Sequence, residues 1–193
     1  MDVTSVSSEA EPTLGRRIRA PRQQVQAAVA GDETAFEALV NEHLPRTYRM
    51  ALAILGSEAD ARDAVQETWV SAWQHLGSLR DHSRFDAWLD QIVVNTCRTG
   101  LRKRGRVREI ALVDSFDIQA PQPGLDDITE REALQRAFNR LSIEQRTLLV
   151  LHHLERHPLA AIAEVLGIPV GTAKSRLHTA RAALERTLEN ERE

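Results

Sequence analysis

The stretch from Ile162 to Leu177 constrains this chain more than any other. It is a short apolar helix, a Gly167-Ile168-Pro169 turn and a second helix with a basic outer face. Ala163, Gly167 and Leu177 fall where a helix-turn-helix needs a small, a turning and a buried residue. In the second helix Val170, Ala173, Leu177, Ala180 and Leu184 recur every three or four residues, which predicts a buried stripe. Thr172, Lys174, Ser175, Arg176, His178, Thr179 and Arg181 are left pointing away from it. Cations and hydroxyls of this kind meet phosphates and base edges in a DNA major groove.

The remainder of the chain narrows the class. Its 193 residues suffice for one ordinary domain or two small ones. Ala, Leu, Glu and Arg dominate and β-branched runs are few, so helices packed on helices are expected rather than sheets. A net charge of −3 excludes uniform, histone-like binding, so any nucleic-acid surface has to be local. Six cations, Arg98, Arg102, Lys103, Arg104, Arg106 and Arg108, fall within eleven residues without an acid. From Glu109 to Glu130 the pattern reverses to Glu109, Asp114, Asp117, Asp126, Asp127 and Glu130 without a cation. The single cysteine, Cys97, excludes an internal disulfide and a cysteine metal cluster. Neither a membrane-length apolar run nor an apolar stretch after Arg16, Arg17 and Arg19 is present, which points to a cytoplasmic location.

The organisation reads as two small helical domains. Residues 1–24 lack periodicity and read as a mobile tail. A short helix near Gln23–Ala30 stops at Gly31, and Asp32 caps a longer one that Gly56 ends. Pro45 inside it should kink it or mark a local break. Ser57 opens the next helix, with the stripe Ala61, Val65, Trp69, Ala72, Trp73 and Leu76. A polar loop follows over Gly77–Arg84, and another helix starts near Phe85. Residues 25–104 form the first domain. Residues 105–128, with Pro121 and Pro123, form an acidic linker. Residues 129–188 form the second, where Ser142 and Gln145 have capping-box spacing.

A helical domain, an acidic linker and a C-terminal helix-turn-helix, in that order, resemble a bacterial sigma factor of the extracytoplasmic-function (group 4) type of the sigma-70 family. Four motifs carry the resemblance over about residues 25–187. Gly31-Asp32 with Ala35-Phe36-Glu37-Ala38-Leu39-Val40 resembles the family's opening helix. The run Asp60 to Trp69, with Ala72-Trp73, resembles its core-polymerase-binding helix. Phe85-Asp86-Ala87-Trp88-Leu89 followed by Asn95 resembles its minus-ten-reading segment, and the helix-turn-helix resembles its minus-thirty-five reader.

The resemblance implies an all-α fold, with a region 2 bundle and a region 4 helix-turn-helix. It implies a protein without catalytic residues, cofactor or metal, which binds core RNA polymerase through its β and β′ subunits and helps to melt promoter DNA. Asp63, Gln66 and Glu67 would dock on the coiled coil of the large polymerase subunit. An isolated acidic helix face is by default solvated, and the family match is what reverses that reading; Trp69 and Trp73 read as core packing. Arg80, His82, Ser83 and Arg84 would surround an unstacked minus-ten base, and Asn95 would read a base edge. Arg98, Arg102, Lys103 and Arg104 suit phosphates, in number beyond what a helix dipole attracts. Lys174, Ser175, Arg176 and His178 would reach bases or phosphates of the minus-thirty-five element, with Thr172 and Thr179 at phosphates. Arg181, more distal, has Glu185 four residues on as an ion-pair partner. An anti-sigma partner is also implied.

Two positions depart from the family pattern. Where the first helix of the motif usually has a serine cap and acids, this chain has Pro158, Ala160 and Ala161, so that end should fray or lean on His157. Ala173 stands where valine is commoner, trimming the core at a cost of about 1–2 kcal/mol. His152, His153 and His157 lack the glutamate of a His-Glu-x-x-His zinc motif, and Cys97 reads as a buried inert thiol despite Arg98 beside it. The rivals are a stand-alone dimeric DNA-binding regulator, a histidine-dependent metal enzyme and a sigma-like protein that has lost promoter reading. The first leaves the acidic helix face without a role, and Asn95, Lys174 and Arg176 argue against the last.

Overall fold

The computed structural model describes residues 20–110 and 130–192, and every regular element among them is helical. The first half contains α1 (Arg22–Val29), α2 (Glu33–Leu55), α3 (Glu58–His75) and α4 (Phe85–Ile110). The second contains α5 (Glu130–Asn139), α6 (Ile143–Leu149), α7 (Leu159–Leu166) and α8 (Val170–Arg192). Helix α2 packs on α1, α3 and α4, while α8 packs on α5, α6 and α7. No described helix is long and apolar enough to cross a membrane.

Local chemistry sets most boundaries. The Asp32 carboxylate accepts from the Ala35 amide at 3.0 Å and opens α2. Gly56 ends it in the left-handed conformation, φ 71°, which glycine adopts at no steric cost. Ser57 caps α3, and Ser142 and Gln145 form the reciprocal capping box of α6. After Leu149 the chain widens into a single π turn over Val150–Leu154.

Three expectations about elements change. Of the kink or break expected at Pro45, the break does not occur: α2 runs as one helix from Glu33 to Leu55. Nearby, the Thr47 hydroxyl donates to the carbonyls of His43 and Leu44, a back-bond of the helix and not a replacement for the amide that Pro45 lacks. Helix α4 continues to Ile110, so residues 105–110 extend the helix instead of opening the linker. The polar loop contains two 3-10 turns, Leu76–Ser78 and His82–Arg84, the second closed by the Asp81 side chain. Residues 111–128 of the expected linker and most of the expected N-terminal tail lie outside the described residues.

Leu39, Met50, Ile54, Phe85, Leu89, Val93 and Val94 fill the first half, and Leu148, Leu151, Ile162 and Leu177 the second. They belong to one continuous apolar cluster. Each such side chain contributes about 1.5–3 kcal/mol by leaving water.

Candidate nucleic-acid and polymerase interface

Helices α7 and α8 form the predicted helix-turn-helix. Gly167 takes φ 65°, and the Ile168 amide returns to the Ala163 carbonyl at 3.0 Å, closing the first helix in a Schellman-type turn. Ala163, Ala173, Leu177 and Ala180 are buried as expected. Val170 is not. It occupies the first position of α8, ahead of the packed seam, and is half exposed. At 3.6 residues per turn, Ser175 and Thr179 stand opposite that seam, with Thr172 and Arg176 on one flank and Lys174 and His178 on the other. All but the half-buried Thr172 are exposed. The Ser175 and Thr179 hydroxyls donate to the Thr172 and Ser175 carbonyls, leaving their oxygens to accept.

Arg181 turns towards His153 and His152, 3.4 Å from a ring nitrogen of each, and not to Glu185. Partial burial is the first cause that lowers the pKa of both imidazoles, and the Arg181 charge adds to it. His157 points elsewhere, into the protein, so the three histidines do not converge. No group of three or more potential ligands that could hold a metal ion exists among the described residues.

In the first half Asp63, Gln66 and Glu67 are all exposed on α3. Asp63 and Glu67 line a cleft of about 460 Å³ between α3 and α4 that also contains Asn95, Thr96 and Thr99. Gln66 faces the other side, over Leu44, Pro45 and Tyr48. The expected polymerase-binding trio therefore flanks α3 on both sides and meets Asn95 across one groove. Trp69 is buried, but Trp73, also expected in the core, is 45% exposed and packs on Phe36 with ring centroids 4.8 Å apart and planes tilted by 57°.

The loop before α4 presents Arg80, Ser83 and Arg84 at the surface and His82 half-buried. The Asp81 carboxylate accepts from both the Ser83 amide, at 3.0 Å, and its hydroxyl, at 2.6 Å. Those two bonds hold the Asp81 carboxyl below the ordinary range and commit the serine proton within the loop. Phe85 is buried against His43, and Trp88 is half-buried beside it. Asn95, Arg98 and Arg102 follow at i, i+3 and i+7 and share one stripe of α4, which starts about 15 Å along the helix from Phe85. Lys103 and Arg104 lie on the same helix, with side chains outside the described residues.

A buried polar group joins the two halves, and no motif announced it. Arg46 Nη2 donates to both carboxylate oxygens of Asp90, at 2.6 and 2.7 Å, and its Nε donates to Glu155 at 2.6 Å. His157 Nε2 lies 2.7 Å from Asp90 Oδ2 and donates to it. Burial opposes the Arg46 charge, but the two carboxylates outweigh it and raise the guanidinium pKa above its usual value. For Asp90 burial pushes the pKa up, and the bonds from His157 and Arg46 more than reverse this, leaving it lowered. The available signal was a charge inside an apolar stripe. Arg46 falls seven residues after Leu39 and four before Met50, and Asp90 three before Val93.

Helix α7 begins at Pro158 without a side-chain cap, as the substitution of its usual serine implies. His157, the residue before it, is anchored on Asp90. Further along, Glu164 of α7 pairs with Arg84 of the loop. Glu164 and Val165 thereby close one wall of a cleft of about 360 Å³ whose other lining includes Arg80, Arg84, Trp88 and Gln91.

The chain matches the family described as Sigma-70 region 2 over residues 39–107 and that described as Sigma-70, region 4 over residues 131–184. It is 35% identical over 174 residues to the ECF RNA polymerase sigma factor SigM of Mycobacterium tuberculosis, which covers 90% of this chain and 87% of SigM. Among solved structures it is similar to the sigma factor RpoE of Bartonella quintana in complex with the anti-sigma factor NepR. That likeness has a TM-score of 0.67 and 28% identity over 80% of this chain and 96% of RpoE. It is also similar to CnrH in complex with the cytosolic domain of CnrY, with a TM-score of 0.65 and 27% identity over 89% and 98% of the two chains.

Proposed function

The chain belongs to the extracytoplasmic-function (ECF) RNA polymerase sigma factors, and we propose that its two halves divide that role between them. It binds core RNA polymerase and directs it to promoter DNA. Residues 25–104 take the polymerase and the minus-ten element, and residues 129–188 take the minus-thirty-five duplex. Nucleotide chemistry stays with the polymerase, in the cytoplasm where that enzyme works. The observation that carries the assignment is the exposed Lys174, Arg176 and His178 face over a buried Ala173–Leu177–Ala180 seam, on a chain matching both sigma regions. The match of the first half leaves the stand-alone regulator without support.

Asp63, Gln66 and Glu67 dock on polymerase. Arg80, His82, Ser83 and Arg84 hold an unstacked minus-ten base, which stacking and nearby cations stabilise. Asn95 reads a base edge, and Arg98, Arg102, Lys103 and Arg104 follow the phosphates of the same strand. Thr172, Lys174, Ser175, Arg176, His178 and Thr179 engage the minus-thirty-five major groove. Tethering raises the local concentration of the second reader once the first is bound. An anti-sigma factor restrains the protein, by likeness to the RpoE–NepR complex.

Run-off transcription with bacterial core polymerase on a promoter library tests this. Selective initiation that is lost with Gln66→Ala/Glu67→Ala and with Lys174→Ala/Arg176→Ala is expected. Tight binding to duplex DNA alone, with no initiation added to any core enzyme, would return the stand-alone regulator.

A further inference from the structure

We propose that His152, His153 and Arg181 form a proton-coupled clamp for a backbone phosphate of the minus-thirty-five duplex, beside the face of α8 that reads it. Neutral imidazoles hold Arg181 back, and their protonation releases it to join them on the phosphate. This rests on the minus-thirty-five reading above and extends that surface onto the π turn.

Local geometry puts the two imidazoles together. Successive side chains of an α-helix diverge by about 100°. The π turn over Val150–Leu154 has more residues per turn, so the angle narrows. The His152 and His153 rings lie with centroids 4.6 Å apart, and both reach Arg181. A guanidinium can only donate, so each ring turns an unprotonated nitrogen to it, Nδ1 of His152 and Nε2 of His153. Partial burial first, and then neighbouring positive charge, hold both imidazoles below their ordinary range. Glu185 of α8 lines the same groove, and its walls from α2, α5 and α6 are apolar but for Gln135. Glu155 and His157, next along the chain, are occupied by Arg46 and Asp90.

The position suits a phosphate. Lys174, His178 and Arg181 follow at i, i+4 and i+7 on one flank of α8, a cationic stripe about 10 Å long. A helix in a major groove about 12 Å wide has a row of phosphates along each side. The stripe runs along one row, and the π turn closes on it at the Arg181 end. Two neutral acceptors leave the Arg181 charge uncompensated. A phosphate among the three groups reverses the balance on the imidazoles: once protonated, both rings donate to it and no longer accept from Arg181. The bound state then holds protons that the free protein lacks, so affinity rises as pH falls below about 7.

Fluorescence anisotropy of the holoenzyme on a promoter fragment from the run-off library tests the clamp. Relative to His152→Gln/His153→Gln, wild type should bind severalfold more tightly at about pH 6 than at about pH 8. The double variant should match wild type at the upper end, which a merely structural role of the imidazoles would not allow. Arg181→Gln should weaken binding at every pH and reduce the salt dependence by about one counterion. A second readout needs no promoter: in histidine NMR of the full chain, a short duplex of arbitrary sequence should raise both imidazole pKa values. Failure to bind that duplex in acid, binding that leaves the two imidazoles where they were, or a pH profile shared by wild type and double variant would overturn the clamp. A histidine shift on duplex without initiation at any promoter would leave the clamp standing and overturn the promoter reading.

Discussion

Arg46 and Asp90 meet on facing helices of the first half, one guanidinium nitrogen bridging both carboxylate oxygens at 2.6 and 2.7 Å in a site 5% and 0% exposed. Such a pair is costly to create and costly to break. Asp90→Ala leaves Arg46 with one carboxylate and takes one hydrogen bond from His157, and should cost about 3–5 kcal/mol in urea denaturation. Asp90→Asn, which keeps an acceptor oxygen, should cost less. A loss below about 1 kcal/mol for Asp90→Ala would mean that water replaces the carboxylate.

The lowered pKa of Asp90 sets a pH dependence. The folded state holds the proton more weakly than the unfolded chain, so the stabilisation is complete above the unfolded value of about 3.9 and is lost as pH falls below it. The stability gap between wild type and Asp90→Asn should therefore shrink in acid titrations below about pH 4. A gap unchanged down to pH 2 would contradict a carboxylate held ionised by Arg46 and His157.

Cys97 gives the opposite sign. Burial pushes its thiol up to about 12, against about 8.5 in an unfolded chain. Between these values the unfolded state releases a proton that the folded state keeps, so folding weakens as pH rises. The slope attributable to Cys97 reaches about 1.4 kcal/mol per pH unit and should vanish in Cys97→Ala. Thiol reagents at neutral pH should label the native protein slowly and the urea-unfolded protein fast.

Gly56 occupies a left-handed cap, and a β-carbon there would come within 2.6 Å of Asn139 Oδ1 from the second half. Gly56→Ala should lower stability by about 1–2 kcal/mol from the backbone alone, with the clash in addition. Pairing it with Asn139→Ala should recover the clash and leave the backbone part. Full recovery would show that the left-handed strain is relieved elsewhere.

Stability and promoter activity should separate along α8. Leu177→Ala removes a side chain 4% exposed and should cost about 2–5 kcal/mol. Arg176→Ala, exposed one position earlier, should change stability by under about 0.5 kcal/mol. It should still weaken promoter binding and reduce the salt dependence by about one counterion. An unchanged salt slope would remove Arg176 from the phosphate contacts.

What the sequence revealed was local. Asp32, Ser57 and the Ser142–Gln145 box sit where their caps were expected, because a cap depends on residues three positions apart. The Ala173–Leu177–Ala180 seam and the exposed cations beside it followed from helical period alone. Val170 and Trp73 were misplaced because period gives the direction of a side chain and not whether a neighbour reaches it. The Arg46 network was missed because its partners lie 44 and 109 positions away. A lone charge in an apolar stripe signals that a partner exists without saying which. The expected roles of Asp63, Gln66 and Glu67 owed more to family resemblance than to the residues, since a solvated acidic helix looks the same.

All three tryptophans, Trp69, Trp73 and Trp88, and the single tyrosine, Tyr48, belong to the first half. The helix-turn-helix half carries neither, so intrinsic fluorescence reports on it only through the first half. Trp88, however, lines the cleft that Glu164 and Val165 wall off. Withdrawal of α7 wets that indole and shifts its emission to the red, while buried Trp69 stays as it was. The protein carries a built-in optical gauge of the distance between its own halves, readable without a label.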